Sequence, residues 1–242
     1  MRTITRGALS GRALTFLRKR TTLVQGAPSP KDEAARLWRL RSNKTFTEIR
    51  GTLDAMASGL GRCMYCEDSE GTDIDHFHPK SAFPARAFDW TNYLLGCSRC
   101  NSNFKRNQFP VDPAGNPLLI DPTRDDPTVH LLLVPDTGDF VPLTPKGVES
   151  IRVFGLDRQT LQLGRRNAWT TLNVLLEKFA DAKRTLDVGQ AGAIETAVRQ
   201  HPFSSTLVHL LAISRKPGSG TALPPETEAA LLAAPEIRTW AP

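Results

Sequence analysis

The four cysteines constrain the fold of this 242-residue chain more than any other feature. They form two C-x2-C pairs, Cys63 with Cys66 and Cys97 with Cys100, and none is left over. Each pair presents two thiolates on one side of a tight turn, and two such knuckles supply the four sulfurs of a tetrahedral zinc site. Because such a site normally has no open position, we expect a structural zinc ion here.

Two disulfides or a redox-active C-x-x-C motif are alternative interpretations of these cysteines. The N-terminus lacks the continuous apolar stretch of about 7 to 15 residues that a secretory signal requires. The longest aliphatic run, residues 131–134, is far shorter than a membrane span. These features favour a cytoplasmic protein with reduced thiols, and a redox motif would leave the second pair unexplained.

The segment between the two pairs carries a second group of polar side chains. Asp75 and His76 lie in Asp-Ile-Asp-His-Phe-His-Pro-Lys-Ser (73–81), Asn92 ends Phe-Asp-Trp-Thr-Asn (88–92), and Asn101 directly follows the second pair. This arrangement resembles the HNH endonucleases, whose catalytic unit is the ββα-metal fold. With Cys-Met-Tyr-Cys-Glu (63–67) and Pro-Leu-Leu-Ile-Asp-Pro (117–122), it is similar to the HNH proteins of Septu and retron-associated phage-defence systems, over roughly residues 35 to 165.

The same residues suit phosphodiester hydrolysis on chemical grounds. The reaction needs an activated water and a divalent cation that absorbs charge on the phosphoryl oxygens. His76, with an ordinary pKa of about 6.5, can accept a proton near neutral pH. The carboxylate of Asp75 and the amide oxygen of Asn101 are hard ligands that suit Mg²⁺ or Mn²⁺ better than zinc.

The resemblance implies further properties. It makes Asn92 the residue that orients the general base His76, and it implies cleavage to a 5′ phosphate and a 3′ hydroxyl. It also implies an ATPase partner protein. One ββα unit cuts one strand, so a double-strand break would need a homodimer or two visits.

The last position of the motif departs from the family name, because Asn101 stands where the final histidine is expected. Asn103 is a rival for the same metal-ligand role, but Asn101 has the family's position directly after Cys100. For His78 we expect solvent exposure or a hydrogen bond near the site, and phosphate contact or a second metal is the alternative. For Lys105 and Arg106, phosphate contact and a solvated helix face are equally weighted.

The whole pattern predicts an α+β protein with an HNH core, flanking helices and a small β appendage. Apolar residues at spacings of three and four predict helices in 31–60, with a break at Ser42 and Asn43, and again from Asp157 through Phe179 and over Leu207 to Ile213. Residues 216–220 read as a flexible link to a short last helix. The predicted segments are a basic N-terminal segment (1–30), the nuclease domain (31–110), a Pro- and Gly-rich β appendage (111–156) and a helical C-terminal region (157–242).

Positive charge is concentrated at the N-terminus. The formal net charge is +6, yet residues 1–31 hold seven basic side chains and no acid, so the rest of the chain is close to neutral. The block fits a transit peptide, a basic arm for nucleic-acid phosphates, or an ordinary solvated segment. The bacterial character of the family disfavours the first. Deleting the block is expected to weaken DNA affinity and leave the metal site intact.

The sequence therefore predicts a zinc-stabilised, Mg²⁺- or Mn²⁺-dependent endonuclease that hydrolyses DNA, with no membrane association, in phage defence. Two rivals stay open at this level. One is a non-catalytic zinc-knuckle protein that binds nucleic acid, and the other is an RNA-cleaving nuclease on the same scaffold. The presence of Asp75, His76, Asn92 and Asn101 together argues against the first rival.

Overall fold

The computed structural model describes residues 1–215 and 223–240 and shows a mixed helical and β architecture. This confirms the α+β class, and the predicted link at 216–220 lies outside the described residues. The helices are α1 (Gly11–Gly26), α2 (Pro30–Arg39), α3 (Lys44–Met56), α4 (Pro127–His130), α5 (Pro145–Phe154), α6 (Gln159–Arg184), α7 (Val188–Arg199), α8 (Ser205–Ser214) and α9 (Pro225–Ala233). The strands are β1 (Asp73–His76), β2 (Tyr93–Gly96), β3 (Leu131–Val134) and β4 (Asp139–Pro142).

The predicted helical pattern in 31–60 is confirmed, including its break. Proline at the first position starts α2, where its missing N–H costs nothing. The side-chain oxygen of Asn43 accepts hydrogen bonds from the amides of Thr45 and Phe46, so Asn43 caps α3. The break thus separates two short helices, and their apolar faces pack on the hairpin formed by β1 and β2.

The N-terminal block is part of the folded body. Ile4, Ala13, Leu17 and Val24 are buried, and α1 packs against α2 and α3. The guanidinium of Arg6 donates to the main-chain oxygens of residues 90, 91 and 93. A transit peptide or a free arm does not fit these contacts, and the deletion expected to spare the metal site would instead remove part of the core.

The first sheet is the hairpin β1–β2, in which His76 pairs with Tyr93 and Asp75 with Leu94. A wide π-helical turn (Arg99–Lys105) follows β2 directly. The second C-x2-C pair spans the junction between β2 and this turn. Two short 3-10 helices, Pro84–Arg86 and Trp90–Asn92, lie in the connection between the strands, so the regular elements from 73 to 105 follow the order strand, strand, helix.

The segment predicted as a β appendage contains one hairpin, β3–β4, with Leu132 opposite Val141. It also contains α5, which the Pro- and Gly-rich composition did not indicate. The hydroxyl of Thr144 accepts from the amide of Gly147 at the start of α5, and Gly155 ends it in a left-handed conformation. A side chain at Gly155 would collide with the ring of Phe104, so α5 can lie close to the π-helical turn.

The C-terminal helices build a second core. The long α6 contributes Leu161 and Ala168 to the main core, whereas its later residues Leu172 and Leu176 lie in a separate cluster with α7, α8 and α9. This confirms the predicted helices from Asp157 and around 207–213, and it adds α7. Among residues 1–215 and 223–240, every helix is too short or too polar to span a membrane.

Candidate zinc cluster and catalytic cleft

The four cysteines converge on one point. All are buried, and their Sγ atoms lie within 4.8 Å of one another. The Sγ atoms of Cys66 and Cys97 are 3.9 Å apart, which excludes a disulfide, whose bond is about 2.05 Å. Burial raises the pKa of Cys63, whereas a hydrogen bond from Cys100 lowers the pKa of Cys97.

This cluster fits zinc. Zn–S bonds of about 2.3 Å in a tetrahedron place the sulfurs about 3.8 Å apart, close to the separation of Cys66 and Cys97. The guanidinium of Arg158 donates to Sγ of Cys100 over 3.5 Å. A cation beside a cluster of thiolates offsets their negative charge. No sequence motif pointed to Arg158, which lies 58 residues beyond Cys100 in the chain.

A cleft of about 630 Å³ opens beside the first hairpin. Three of the four predicted catalytic residues, Asp75, His76 and Asn101, line it. Trp38 and Arg41 from the α2 end, together with Lys80 and Arg106, complete its polar and aromatic wall. The hairpin therefore brings residues from three separate motifs to one surface.

His76 is held as a neutral ring. Its Nε2 lies 2.9 Å from the main-chain oxygen of Ala87, and its ring contacts Trp38 edge to face. Because a carbonyl oxygen can only accept, Nε2 carries the proton and Nδ1 keeps its lone pair. Burial lowers the pKa of His76 to about 4, so the ring is neutral at pH 7.

Asp75 is the most tightly bound carboxylate of the cleft. Its Oδ2 accepts from the hydroxyl of Tyr65 at 2.5 Å, and its Oδ1 accepts from Nζ of Lys105 at 3.0 Å. Nζ of Lys105 also donates to the main-chain oxygen of His76 at 2.6 Å. Lys105 is fully buried, so both interpretations offered by the sequence, a phosphate contact and a solvated face, are wrong for it. Arg106 is exposed at the cleft.

Asn101 is oriented by a residue that the sequence did not single out. Its Nδ2 donates to Oδ2 of Asp73 at 3.2 Å, which leaves the amide oxygen free to act as a ligand. Asn103 is exposed and lies outside the cleft lining. The geometry therefore favours Asn101 over Asn103 as a metal ligand.

The position of Asn92 corrects one detail of its expected role. Its side chain makes no hydrogen bond to His76 in the described structure. Its Oδ1 accepts from the amide of His78, and its Nδ2 donates to the main-chain oxygens of His78 and Arg86. Asn92 thus fixes the loop 78–86, and the residue after this loop, Ala87, supports the His76 ring. The hydrogen bonds also place His78 near the site, as expected.

Lys80 and Trp38 also line the cleft, and the sequence motif assigned no role to either residue. Nζ of Lys80 lies 5.8 Å from the centre of the Trp38 ring. Burial lowers the pKa of Lys80, and the nearby charge of Asp75 opposes this shift. A half-buried ammonium beside His76 is well placed for an anionic ligand.

A hard divalent cation would have few protein ligands here. Within residues 1–215 and 223–240, the cysteines form the one group of three or more Cys, His, Asp or Glu side chains close enough to share a metal. Asp75 and the amide oxygen of Asn101 face the same cleft. One carboxylate, one amide oxygen, water and phosphate oxygens are a donor set that fits Mg²⁺.

The amino-acid sequence of this chain is similar to two curated proteins that share one name. The chain is 31% identical over 159 residues to a Septu protein PtuB of Bacillus mycoides (strain KBAB4), covering 53% of this chain and 54% of that protein. It is 32% identical over 75 residues to a Septu protein PtuB of Bacillus thuringiensis, covering 29% and 27%. The chain thus spans about half or less of the curated relatives it matches. No protein-family model matches it.

Proposed function

We propose that this chain is an HNH-type endonuclease that hydrolyses DNA phosphodiester bonds in anti-phage defence. The observation that carries the proposal is that His76, with an unshared lone pair on Nδ1, shares one cleft with Asp75 and Asn101 beside a four-cysteine cluster. The strand–strand–helix order of residues 73–105 supports an HNH core. The similarity to two Septu PtuB proteins supports the defence role.

His76 acts as the general base in this proposal. The Ala87 oxygen holds the Nε2 proton, so Nδ1 is the atom that accepts a proton from the attacking water. The neutral state of His76 at pH 7 keeps this lone pair available. Trp38 packs against the ring and limits its rotation.

The remaining cleft residues would bind the metal, orient its ligands or supply positive charge. Asp75 and Asn101 would hold Mg²⁺ or Mn²⁺, which supplies positive charge to the scissile phosphate when it is bound. Lys105 and Tyr65 fix the carboxylate of Asp75, and Asp73 fixes the amide of Asn101. Lys80 adds a second positive charge at the cleft.

The proposal is tested by nicking of supercoiled plasmid with Mg²⁺ or Mn²⁺, with EDTA as the metal control. His76→Ala should lower the rate about 100-fold or more, because a general base contributes at least that factor. His201→Ala, a matched substitution at a half-buried histidine after α7, should cleave like the wild type. The same variants are assayed with the expected ATPase partner present and with single-stranded RNA as substrate. Equal cleavage by His76→Ala and wild type would contradict the mechanism.

A further inference from the structure

A second groove adjoins the catalytic cleft. It has a volume of about 670 Å³ and lies between the first half of α1 and the start of α3. Asn43 lines both the groove and the cleft, so the two depressions meet at the cap of α3. The groove is lined by Gly11, Arg12, Thr15, Phe16, Lys19, Asn43, Lys44 and Thr45.

The charged side chains of the groove are all basic. Arg12, Lys19 and Lys44 are exposed, and none has an acidic partner within 4.0 Å in the described part of the chain. The carboxylate of Glu48 on α3 accepts hydrogen bonds from the amide and hydroxyl of Ser10 and forms no ion pair within 4.0 Å with these three side chains. By contrast, Arg36 and Arg50 pair with acids on their own helices. The groove is therefore a run of uncompensated positive charge.

The basic side chains on α1 are spaced along one face of the helix. Arg12, Thr15 and Lys19 stand at positions i, i+3 and i+7, which places them on one helix face. Seven residues at about 1.5 Å each separate the two basic positions by about 10.5 Å along the axis. This separation allows the two side chains to contact different phosphates of one strand, since successive phosphates advance by about 3.4 Å along the duplex axis.

We propose that this basic groove holds the phosphate backbone of duplex DNA and directs it into the catalytic cleft. Arg12, Lys19 and Lys44 contact phosphates in the groove, and Arg41 and Arg106 continue the positive surface along the cleft. The contacts read no sequence, since they involve the backbone and not the bases. The inference rests on the proposed function. It adds that the DNA bound at the cleft also contacts the surface of α1.

Point substitutions test the groove, whereas truncation would not. Ala13 and Leu17 on the opposite face of α1 are buried, so removal of the helix would disrupt the core. Arg12→Gln, Lys19→Gln and Lys44→Gln change exposed side chains and remove three charges. A matched control, Lys178→Gln, Lys183→Gln and Arg184→Gln, removes three charges from the far end of α6, where these side chains are also exposed.

Binding is measured in the His76→Ala background, so that no cleavage interferes. Anisotropy of a labelled 25-base-pair duplex is recorded from 50 to 300 mM salt, for the parent, the groove triple and the control triple. The groove triple should bind about tenfold or more weakly at 150 mM salt. The slope of log affinity against log salt should fall by about 3, that is about 0.9 for each lost phosphate contact. The control should retain the parental values.

Each outcome has a distinct meaning. Equal affinity of the groove triple and the parent would overturn the inference, as would a parent without salt-dependent binding. Tighter, groove-dependent binding of single-stranded RNA than of the duplex would also overturn it. If wild type cleaves plasmid but the groove is not needed for binding, the proposed function stands alone. If binding needs the groove but wild type with its ATPase partner does not cleave, the groove stands and the nuclease proposal fails.

Discussion

The ammonium group of Lys105 illustrates how much of the site depends on single buried charges. A charge that leaves water costs several kcal/mol unless a partner and hydrogen bonds compensate it. Lys105 has both, since its Nζ contacts Oδ1 of Asp75 and the main-chain oxygen of His76. One side chain therefore connects the expected metal ligand with the strand that carries the expected base.

Replacement of Lys105 by methionine should strongly destabilise the protein. The substitution fills a similar volume but leaves the Asp75 carboxylate buried without its cation, which costs about 3 to 5 kcal/mol. Denaturant unfolding measures the loss. Lys146→Met, which breaks a partly exposed pair with Asp125, should cost about 1 kcal/mol or less. A double variant Asp75→Asn, Lys105→Met should recover part of the loss, and equal costs for the two single lysine variants would contradict the argument.

At this scale the sequence predicted which residues lie close together better than which atoms make contact. The spacing of the cysteines was enough to predict one shared cluster, and the motif placed Asp75, His76 and Asn101 together. The role of Asn92 was inaccurate because a motif gives residue order and not which atoms meet. Lys105 was misassigned because a lysine on a short helix is usually solvated, and its burial follows from the packing of the π-helical turn on β1.

At the scale of elements, a metal held by the four-cysteine cluster would compensate for a very short sheet. The hairpin β1–β2 has four residues in each strand, and an isolated hairpin of this size is at best marginally stable. Both cysteine pairs flank it in the chain. A metal bound by the four thiolates would hold the two ends of the hairpin unit together, and its binding energy would be part of the folding energy.

Removal of zinc from the cluster should therefore unfold the unit formed by residues 63–105. We expect about one zinc ion per chain by elemental analysis, and loss of the ion in Cys97→Ser. The variant should also melt at a lower temperature, measured by circular dichroism. Ser98→Ala, an exposed position in the same turn, provides the matched control and should keep its zinc. An unchanged zinc content in Cys97→Ser would exclude a four-cysteine site.

Helices with a clear apolar spacing were predictable, and those without were not. The pattern in 31–60 has strong periodicity and is interrupted at the capping residue Asn43, and α2 and α3 are both confirmed. Three buried residues of α1 also follow a helical spacing, namely Ala13, Leu17 and Val24. The many basic residues between them weaken this apolar pattern in the sequence. Likewise, α7 has only Ala191 and Val198 buried, which is too little apolar signal.

At the scale of the whole molecule, burial of histidines makes stability depend on pH. His209 lies between the two hydrophobic cores, near the ring of Phe140, and its buried Nε2 has no partner among the described residues. Burial, reinforced by the nearby positive charge of the Met1 amine, lowers the pKa of His209 to about 4. In the unfolded chain the pKa is about 6.5.

Stability should fall as pH decreases from about 6.5 towards about 4. In this window the unfolded chain binds the proton and the native His209 does not, so protons favour unfolding; above pH 6.5 the contribution is constant. The full loss from this residue is about 3 kcal/mol. His209→Leu should flatten the pH profile of the unfolding free energy by this amount, whereas His201→Leu should not. An unchanged profile in His209→Leu would show that other groups cause the acid sensitivity.

Glu67, the residue after the first cysteine pair, has a consequence for the order of folding. Its buried carboxylate accepts hydrogen bonds from the Ser204 hydroxyl and the Ser205 amide, and its main-chain oxygen accepts from the amide of Phe203. These contacts span more than 130 residues. During synthesis these contacts can form only after α8 has left the ribosome, unlike the ion pair of the same carboxylate with the Met1 amine. The surroundings of the first cysteine pair are therefore completed late in synthesis, well after all four cysteines have left the ribosome.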